Sequence, residues 1–222
     1  MGRGGPGIPV SPAPLARLSR AVKDDAPSAA ALQLPPAERD PADDGALVRR
    51  LRAGDRAALA ELVGLHHAAI ARLVHRLAGY SADTDDLVQD VFVRATASAR
   101  AFDGRSSVET WLTRIAINVC RTHHRRRFLR ASFWARLRAR RAGEPVGHPH
   151  RRLDEAERDD RVRATVAALP PKYRQVVVLH YLEQRSVDDV ARLLDVSKNA
   201  VEVRLHRARK LLDDRLRDLM TE

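Results

Sequence analysis

Apolar residues recur along most of the chain at steps of three and four, the spacing that places them on one face of an α-helix. Between Asp44 and Arg127 this pattern predicts four helices separated by short connections. Their expected buried stripes are Leu47, Val48 and Leu51; Leu59, Leu62, Val63, Ile70, Leu73, Val74 and Leu77; Leu87, Val88, Val91, Phe92 and Ala95; and Trp111, Leu112, Ile115, Ala116 and Val119. No segment shows the strict alternation of a half-buried strand, so the sequence predicts an all-α fold.

Residues that favour helix ends mark several boundaries. Asp55 is a predicted N-cap for the second helix, which is expected to end near Gly79, and the third helix is expected to start around Asp83. Ser106 and Glu109 have the spacing of a capping box at the start of the fourth helix. The first half of the chain is therefore predicted to be a compact four-helix domain.

A second helical unit is expected from about residue 154. A helix with Val166 and Leu169 on its apolar face is broken at Pro170, and Pro171 is well placed as the first residue of the next helix. The two halves are thus predicted to be separate small helical domains.

The last part of the chain has the layout of a helix-turn-helix. Ser186 and Asp189 repeat the capping-box pattern before a short helix, a turn follows over 194–196, and Ser197 is the predicted N-cap of a long final helix. In such a motif the N-terminal part of the second helix enters the major groove of DNA. Its expected exposed side carries Lys198, Asn199, Glu202, Val203 and His206, and its core side carries Val201, Leu205 and Ala208. An ordinary amphipathic helical hairpin is the alternative interpretation.

The remaining segments differ in composition. Residues 1–43 are rich in Pro, Ala and Gly without a sustained apolar period, which predicts a disordered tail. Residues 128–153 are rich in arginine and are interpreted as a flexible basic linker, partly helical over Phe128–Ala142. The predicted domains are therefore 44–127 and 154–222.

Composition narrows the classes of protein. The chain has 222 residues, a formal net charge of +11 and a single cysteine, Cys120, which excludes a disulfide framework. It contains no run of 18 apolar residues, and its N-terminus lacks the apolar stretch of a signal peptide. We expect no membrane insertion, a cytoplasmic location and a polyanionic partner such as nucleic acid.

The excess positive charge is concentrated in one segment. Residues 121–152 contain eleven arginines and one acidic residue, Glu144, whereas the rest of the chain is nearly neutral. A charge run of this kind can be a solvated, self-repelling linker or a phosphate-binding strip, and both can hold for one segment.

Taken together, these motifs resemble the extracytoplasmic-function group of sigma factors, minimal members of the bacterial sigma-70 family. The stretches that carry the resemblance are DTDDLVQDVFVRA (83–95), FDGRSSVETWLTRIAINVCRTHHRRR (102–127), ALPPKYRQVVVLHYLEQRSVDDVARLLDVS (168–197) and NAVEVRLHRARKLL (199–212). The resemblance implies that the first domain, region 2, binds the clamp helices of core RNA polymerase and opens the −10 promoter element. It implies that the second, region 4, reads the −35 element and docks on the polymerase flap. Such proteins are commonly held inactive by an anti-sigma factor.

The resemblance also implies a polymerase-binding face. Asp86, Gln89 and Asp90 match the family's clamp contacts, and on a helix they are neighbours that form an acidic patch. The alternative is that aspartates near this helix start only complement the helix dipole, which we expect for Asp83 and Asp85.

For DNA, the resemblance implies two sites. Phe102 and Asn118 match the aromatic and amide positions that capture a −10 base, although Phe102 could be a packing residue and Asn118 a plain exposed one. For Trp111, core packing and DNA contact are both possible roles. Phosphate contacts beside this site are assigned to Arg114, Arg121, Arg125, Arg126 and Arg127. At the −35 element, base contacts are assigned to Lys198, Asn199, Glu202, Val203 and His206. Phosphate contacts are assigned to Arg204, Arg207 and Lys210.

Two positions depart from the family pattern. The family usually has a basic residue where this chain has Glu202, and it commonly has an acidic residue near Thr122. A carboxylate at 202 can accept a hydrogen bond from a cytosine amino group, so we expect an unusual −35 preference.

The sequence shows no set of residues with the spacing of a known catalytic site. Cys120, His123 and His124 lie at helical spacing but are interpreted as packing and DNA-side residues rather than as a nucleophile or a metal site. We expect no enzymatic activity, no cofactor and no metal. The alternatives to a sigma factor are a free-standing helix-turn-helix regulator, which has no need of an acidic face, and a basic nuclease, which lacks a carboxylate–histidine cluster.

Overall fold

A computed structural model describes residues 41–79, 83–139 and 163–220, and within these ranges the chain is helical and contains no strand. The all-α prediction is confirmed. Most of the predicted tail, residues 1–40, lies outside the described residues. Its last three residues, 41–43, belong to the first helix, which begins at Pro41. The last part of the predicted linker, 140–153, also lies outside them.

The described part of the first half contains four α-helices. They are α1 (Pro41–Arg52), α2 (Arg56–Ala78), α3 (Thr84–Ser98) and α4 (Val108–Ala139), and a short 3₁₀ turn, Ala99–Ala101, extends α3. Helix α4 continues well past the predicted domain end at residue 127, so the expected helical part of the basic segment is continuous with the first domain.

The ends of these helices follow local chemistry. Asp55 caps α2, because its Oδ1 accepts a hydrogen bond of 2.8 Å from the N–H of Ala57, and Gly79 ends the helix with a φ of 78°. The predicted capping box at Ser106 is wrong by one residue. The Oγ of Ser107 instead accepts a hydrogen bond of 3.2 Å from the N–H of Thr110.

The core of this half is built from the predicted apolar faces. Leu62, Leu77 and Leu112 are almost completely buried, and burying a side chain of this size contributes about 1.5–3 kcal/mol. By length and composition α2 could cross a membrane. Its apolar face instead packs against α3 and α4, which identifies it as a core helix of the folded domain.

The described part of the second half starts within a helical segment at 163–167. It continues with α5 (Pro171–Val177), which opens into a wider π-helical turn at Val178–Leu182, and then with α6 (Val187–Leu194) and α7 (Lys198–Met220). Helix α5 begins at Pro171, as the sequence predicts.

The helix-turn-helix is present with the predicted caps. The Oγ of Ser186 accepts a hydrogen bond of 3.1 Å from the N–H of Asp189, and the Oγ of Ser197 accepts one of 3.2 Å from the N–H of Ala200. Between the two helices Asp195 adopts a left-handed conformation with a φ of 55°. This geometry turns α7 away from α6 within three residues.

The two halves touch through polar contacts. Arg76 of α2 pairs with Glu183 at 2.7 Å, and Glu109 of α4 pairs with Arg185. These pairs join the first domain to the segment between α5 and α6.

A buried guanidinium lies at the same junction. Arg174 is 5% exposed; it donates to the carbonyl oxygen of Ala167 and, over 2.7 Å, to Nε2 of His124 on α4. Burial lowers the pKa of Arg174, yet an arginine stays charged in proteins. The charge is therefore held by neutral acceptors rather than by a carboxylate.

Candidate polymerase-binding and nucleic-acid interfaces

The predicted polymerase-binding residues share one exposed face of α3. Asp86, Gln89 and Asp90 are all exposed, while Leu87 and Val88 point into the core. Val93, one turn further along the same face, is 66% exposed. Acidic groups complement a basic partner, and an exposed apolar side chain beside them adds area that can be buried on binding.

The aspartates in and just before α3 fall into two groups, those that lie near a histidine of another helix and those that do not. Asp83 lies 3.8 Å from His123, and Asp85 lies 3.9 Å from His75, so both face other helices. Asp86 forms no ion pair with any side chain in the described ranges, and Asp90 forms a loose pair with Arg94 at 3.6 Å. Asp86 and Asp90 are therefore the carboxylates most open to an external partner.

Helix α4 presents a continuous polar stripe. Arg114, Asn118, Arg121 and Arg125 are all exposed and follow one another at steps of four, three and four. At 1.5 Å per residue the stripe is about 16 Å long. None of its arginines pairs with a carboxylate in the described part of the chain. Such a row of free guanidinium groups suits an extended polyanion.

Beyond the stripe, α4 remains exposed. Arg126 and Arg127 are exposed, as are the apolar side chains of Phe128 and Leu129, at 71% and 57%. The exposed apolar pair follows directly on the basic residues.

The loop before α4, residues 102–107, is buried at its first residue and exposed at residues 103–105. Phe102 is only 8% exposed, and its ring packs on that of Trp111 with centroids 5.1 Å apart. Asp103, Gly104 and Arg105 are exposed, and Gly104 has a φ of 76°. The packing interpretation left open for Phe102 and Trp111 thus describes their surroundings here.

Two side chains of α1 hold this loop, and sequence reasoning missed both. Arg52 donates from Nε to the carbonyl oxygen of Ala99 at 2.8 Å, and from Nη2 to that of Arg100 at 3.0 Å and to that of Phe102. Asp44 Oδ2 accepts a hydrogen bond of 3.0 Å from the N–H of Val108. These partners lie so far apart in sequence that no local pattern could reveal them.

Cys120, the cysteine considered above as a nucleophile or metal ligand, is a core residue. Cys120 is buried, and burial raises the pKa of its thiol to about 12, so it carries no thiolate at neutral pH. Across the described ranges no three His, Cys, Asp or Glu side chains gather into a possible metal site.

On α7 the predicted faces are observed. Val201, Leu205 and Ala208 are buried. Of the residues predicted to contact DNA, all but the half-buried Arg204 are exposed: Lys198, Asn199, Glu202, Val203, His206, Arg207 and Lys210. The first turn of α7 therefore presents a mixed surface of donors and acceptors at the end that enters a groove in such motifs.

Some of the basic side chains already have partners. Lys198 pairs with Asp188 of α6 at 3.1 Å, and Arg207 hydrogen-bonds Tyr173, which lowers the pKa of that phenol. Arg204 is half-buried and lines an open cleft together with Arg121 and Arg125 of α4. One residue predicted for the −35 site is thus brought beside two predicted for the −10 site.

Comparison with known proteins identifies the family. A model of Sigma-70 region 2 matches residues 62–128, and one of Sigma-70, region 4 matches residues 159–212. The ECF RNA polymerase sigma-E factor of Haemophilus influenzae is 30% identical over 184 residues, covering 80% of this chain and 97% of the relative. The chain belongs to the ECF group of RNA polymerase sigma factors. The prediction made from the four motifs is confirmed.

Other relatives agree with this assignment. The ECF RNA polymerase sigma factor SigW of Bacillus subtilis is 28% identical over 179 residues, covering 78% of this chain and 96% of the relative. The solved structure of CnrH, in complex with the cytosolic domain of CnrY, is 28% identical with a TM-score of 0.56, covering 81% of this chain and 99% of CnrH.

A more distant structure shares the fold. The sigma factor RpoE of Bartonella quintana, crystallised with the anti-sigma factor NepR, is 23% identical with a TM-score of 0.52 over 70% of this chain and 94% of that one. In the present chain, helix α1 (Pro41–Arg52) precedes residues 62–128, which the region 2 model matches.

Proposed function

We propose that this ECF sigma factor binds core RNA polymerase through α3, holds the opened −10 element on the loop 102–107 and α4, and reads the −35 element with α7. The observation that carries the proposal is the separation of three exposed faces on three helices, one acidic and two rich in donors. A free-standing regulator would need the last of these alone.

The α3 face supplies the polymerase contact. Asp86, Gln89 and Asp90 offer carboxylate and amide groups, and the exposed Val93 lies one turn further along the same face. Exposed acidic groups speed and orient association with a basic partner, and an apolar residue beside them adds area that is buried on binding.

The loop and the α4 stripe supply the contact with the −10 element. Removing a base from the stack costs a few kcal/mol, which a protein recovers by stacking and hydrogen bonding. Asn118 provides an amide for base edges, and Arg114, Arg121 and Arg125 provide phosphate contacts on both sides of it, continued by Arg126 and Arg127. Phe102 and Trp111 form the packed floor beneath the loop.

Helix α7 supplies sequence reading. Lys198, Asn199, Glu202, Val203 and His206 face outward near its N-terminus, and Arg204, Arg207 and Lys210 flank them for phosphates. Because Lys198 is paired with Asp188, the lysine has to exchange that partner for DNA when it binds.

The remaining predictions belong to the same proposal. The chain acts in the cytoplasm and performs no chemistry itself, since polymerase makes the transcript. An anti-sigma factor is the expected regulator, because the related CnrH and RpoE were each solved with a partner, in the latter case one described as an anti-sigma factor.

The direct test is transcription by core RNA polymerase of the same organism, supplemented with the full chain, on fragmented genomic DNA. Sequencing the transcript 5′ ends should reveal start sites that share −35 and −10 elements and require the chain. Absence of any chain-dependent start site would contradict the proposed function.

The α3 assignment has its own variant. Asp86→Ala combined with Gln89→Ala should weaken association with core polymerase and leave helix content and −35 duplex binding unchanged. Asp214→Ala, an exposed carboxylate on α7, is the matched control. Equal capture of core polymerase by the double variant and the control would remove the assignment.

A further inference from the structure

The −10 loop leaves α3 and enters α4 with both of its ends tied to α1. Leu47, Val48 and Leu51 are buried and fix α1 on the core of the domain. From that position the helix reaches the loop with Arg52 at one end and Asp44 at the other, a little over two turns apart.

Arg52 satisfies the carbonyl groups at the exit of α3. The last carbonyls of a helix have no partner within it, and they carry the negative end of the helix dipole. Arg52 donates to the carbonyl of Ala99, which also accepts from the N–H of Phe102 at 3.3 Å, and to those of Arg100 and Phe102. One guanidinium therefore binds three carbonyl groups within residues 99–102, where the chain turns into the loop.

Asp44 holds the opposite end. Its carboxylate accepts from the N–H of Val108, the first residue of α4, where the positive end of the dipole favours an anion. Ser107 adds the cap at the same point. The stretch between these anchors, Asp103 to Ser106, is the part left free to meet DNA.

We propose that α1 is a brace that positions the −10 loop, with Arg52 and Asp44 as positioning residues for base capture. The inference rests on the proposed function, because it assumes that this loop receives the −10 base. The brace fixes where the exposed residues 103–105 stand relative to Asn118 and the arginines of α4. A site held to within a fraction of an ångström loses much of its affinity when its support is removed.

The variants are chosen to separate the brace from general stability. Arg52→Met keeps the aliphatic stem and removes the donors, Arg52→Lys keeps the charge with a single ammonium, and Asp44→Ala removes the acceptor. Arg50→Met is the matched control, because Arg50 lies on the same helix and binds Asp55 and Glu61 without touching the loop.

Two measurements are made on the full chain. Hydrogen exchange of the free protein should be faster in Arg52→Met at residues 99–108 alone. With core polymerase, affinity for a single-stranded −10 oligonucleotide of the promoter mapped above should fall about tenfold, and Arg52→Lys should recover part of the loss. Binding to core polymerase and to a −35 duplex should stay within about twofold of the original chain.

The outcomes distinguish the brace from the function on which it rests. If Asn118→Ala weakens oligonucleotide binding and neither Arg52→Met nor Asp44→Ala does, the brace is overturned and the proposed function stands. Equal loss of core, −35 and −10 binding in Arg52→Met, or a loss matched by Arg50→Met, would show a structural role alone and overturns the brace. If the original holoenzyme does not bind the oligonucleotide at all, both proposals fail, even where hydrogen exchange at 99–108 responds.

Discussion

Glu202 is an exposed carboxylate in the second turn of the proposed recognition helix, which begins at Lys198. Toward DNA it repels phosphate and can accept from the amino group of cytosine. At the scale of one residue, we therefore expect Glu202 to select a base rather than to add general affinity.

Replacing this carboxylate should change what is read. Glu202→Lys is expected to shift the preferred −35 sequence, because a base-edge contact contributes about 1–3 kcal/mol of discrimination. Selection from a randomised −35 duplex measures the preference. Asp214→Lys changes the charge equally at an exposed site further along α7 and should raise affinity for all sequences alike. A similar uniform gain for Glu202→Lys would place Glu202 away from the bases.

At the scale of elements, two serine caps of equal geometry begin the two proposed DNA-binding helices. The Oγ of Ser107 at α4 and the Oγ of Ser197 at α7 each accept a backbone N–H at 3.2 Å. The sequence predicts Ser197 correctly. It misplaces the other cap at Ser106, because α4 begins at Val108, which makes Ser107 the residue that precedes the helix; Glu109 pairs across the domains with Arg185.

The matching caps allow a controlled comparison. Ser197→Ala and Ser107→Ala should each lower the free energy of unfolding by about 1 kcal/mol, since each leaves an N–H without its acceptor. Only Ser197→Ala should also weaken −35 duplex binding, because it frays the turn that points into the groove. Thermal melting and duplex titration measure the two effects. Equal loss of duplex binding in both variants would assign the effect to general stability.

At the scale of the whole molecule, Arg174 joins the two domains. Its guanidinium enters the first domain beside Gly79, where an added Cβ would lie 2.7 Å from Nη1. On the other side it meets His124, whose Nε2 also lies 3.0 Å from the carbonyl oxygen of Leu77. A ring nitrogen either donates or accepts, so Nε2 can serve Arg174 only while it carries no proton.

Gly79 therefore has a packing role as well as a conformational one. Gly79→Ala should loosen the contact between the domains and increase the radius of gyration measured by X-ray scattering. Gly54→Ala is the matched control, because Gly54 has a φ of 80° and its added Cβ would meet nothing within 4 Å. Both changes carry the left-handed penalty of about 1 kcal/mol. An equal scattering profile for both would contradict the Arg174 contact.

The same contact should depend on pH. Burial lowers the pKa of His124; the carbonyl oxygen of Leu77 opposes this shift, and nearby Arg174, His123 and Arg127 add to it. The net pKa is lowered, so the folded protein binds this proton less well than the unfolded chain. Stability from this residue is complete above about pH 6.5 and is lost as the pH falls below it.

Melting temperature measured across this range tests the effect. His124→Gln should flatten the decline of melting temperature on acidification, whereas His206→Gln, exposed on α7, should leave it as in the original chain. The same slope in both variants would remove His124 from the contact.

The sequence by itself determined the helices, most of their caps and the faces of α3, α4 and α7. These features depend on residues within about one turn of each other, so periodicity and end preferences suffice to predict them. The family followed from the same local motifs. The exposed positions of Asp86, Asn118 and Glu202 were predictable for this reason, although their roles remain proposals.

The tertiary structure decided what joins distant parts of the chain. It buried Phe102 on Trp111, tied the loop to Arg52 and Asp44, and placed Arg174 against His124 and Gly79. Each is a contact between residues whose own neighbourhoods carry no sign of it. A guanidinium on an exposed helix face looks the same in sequence whether it meets solvent, phosphate or a carbonyl group, and only the packing of the helices selects its partner.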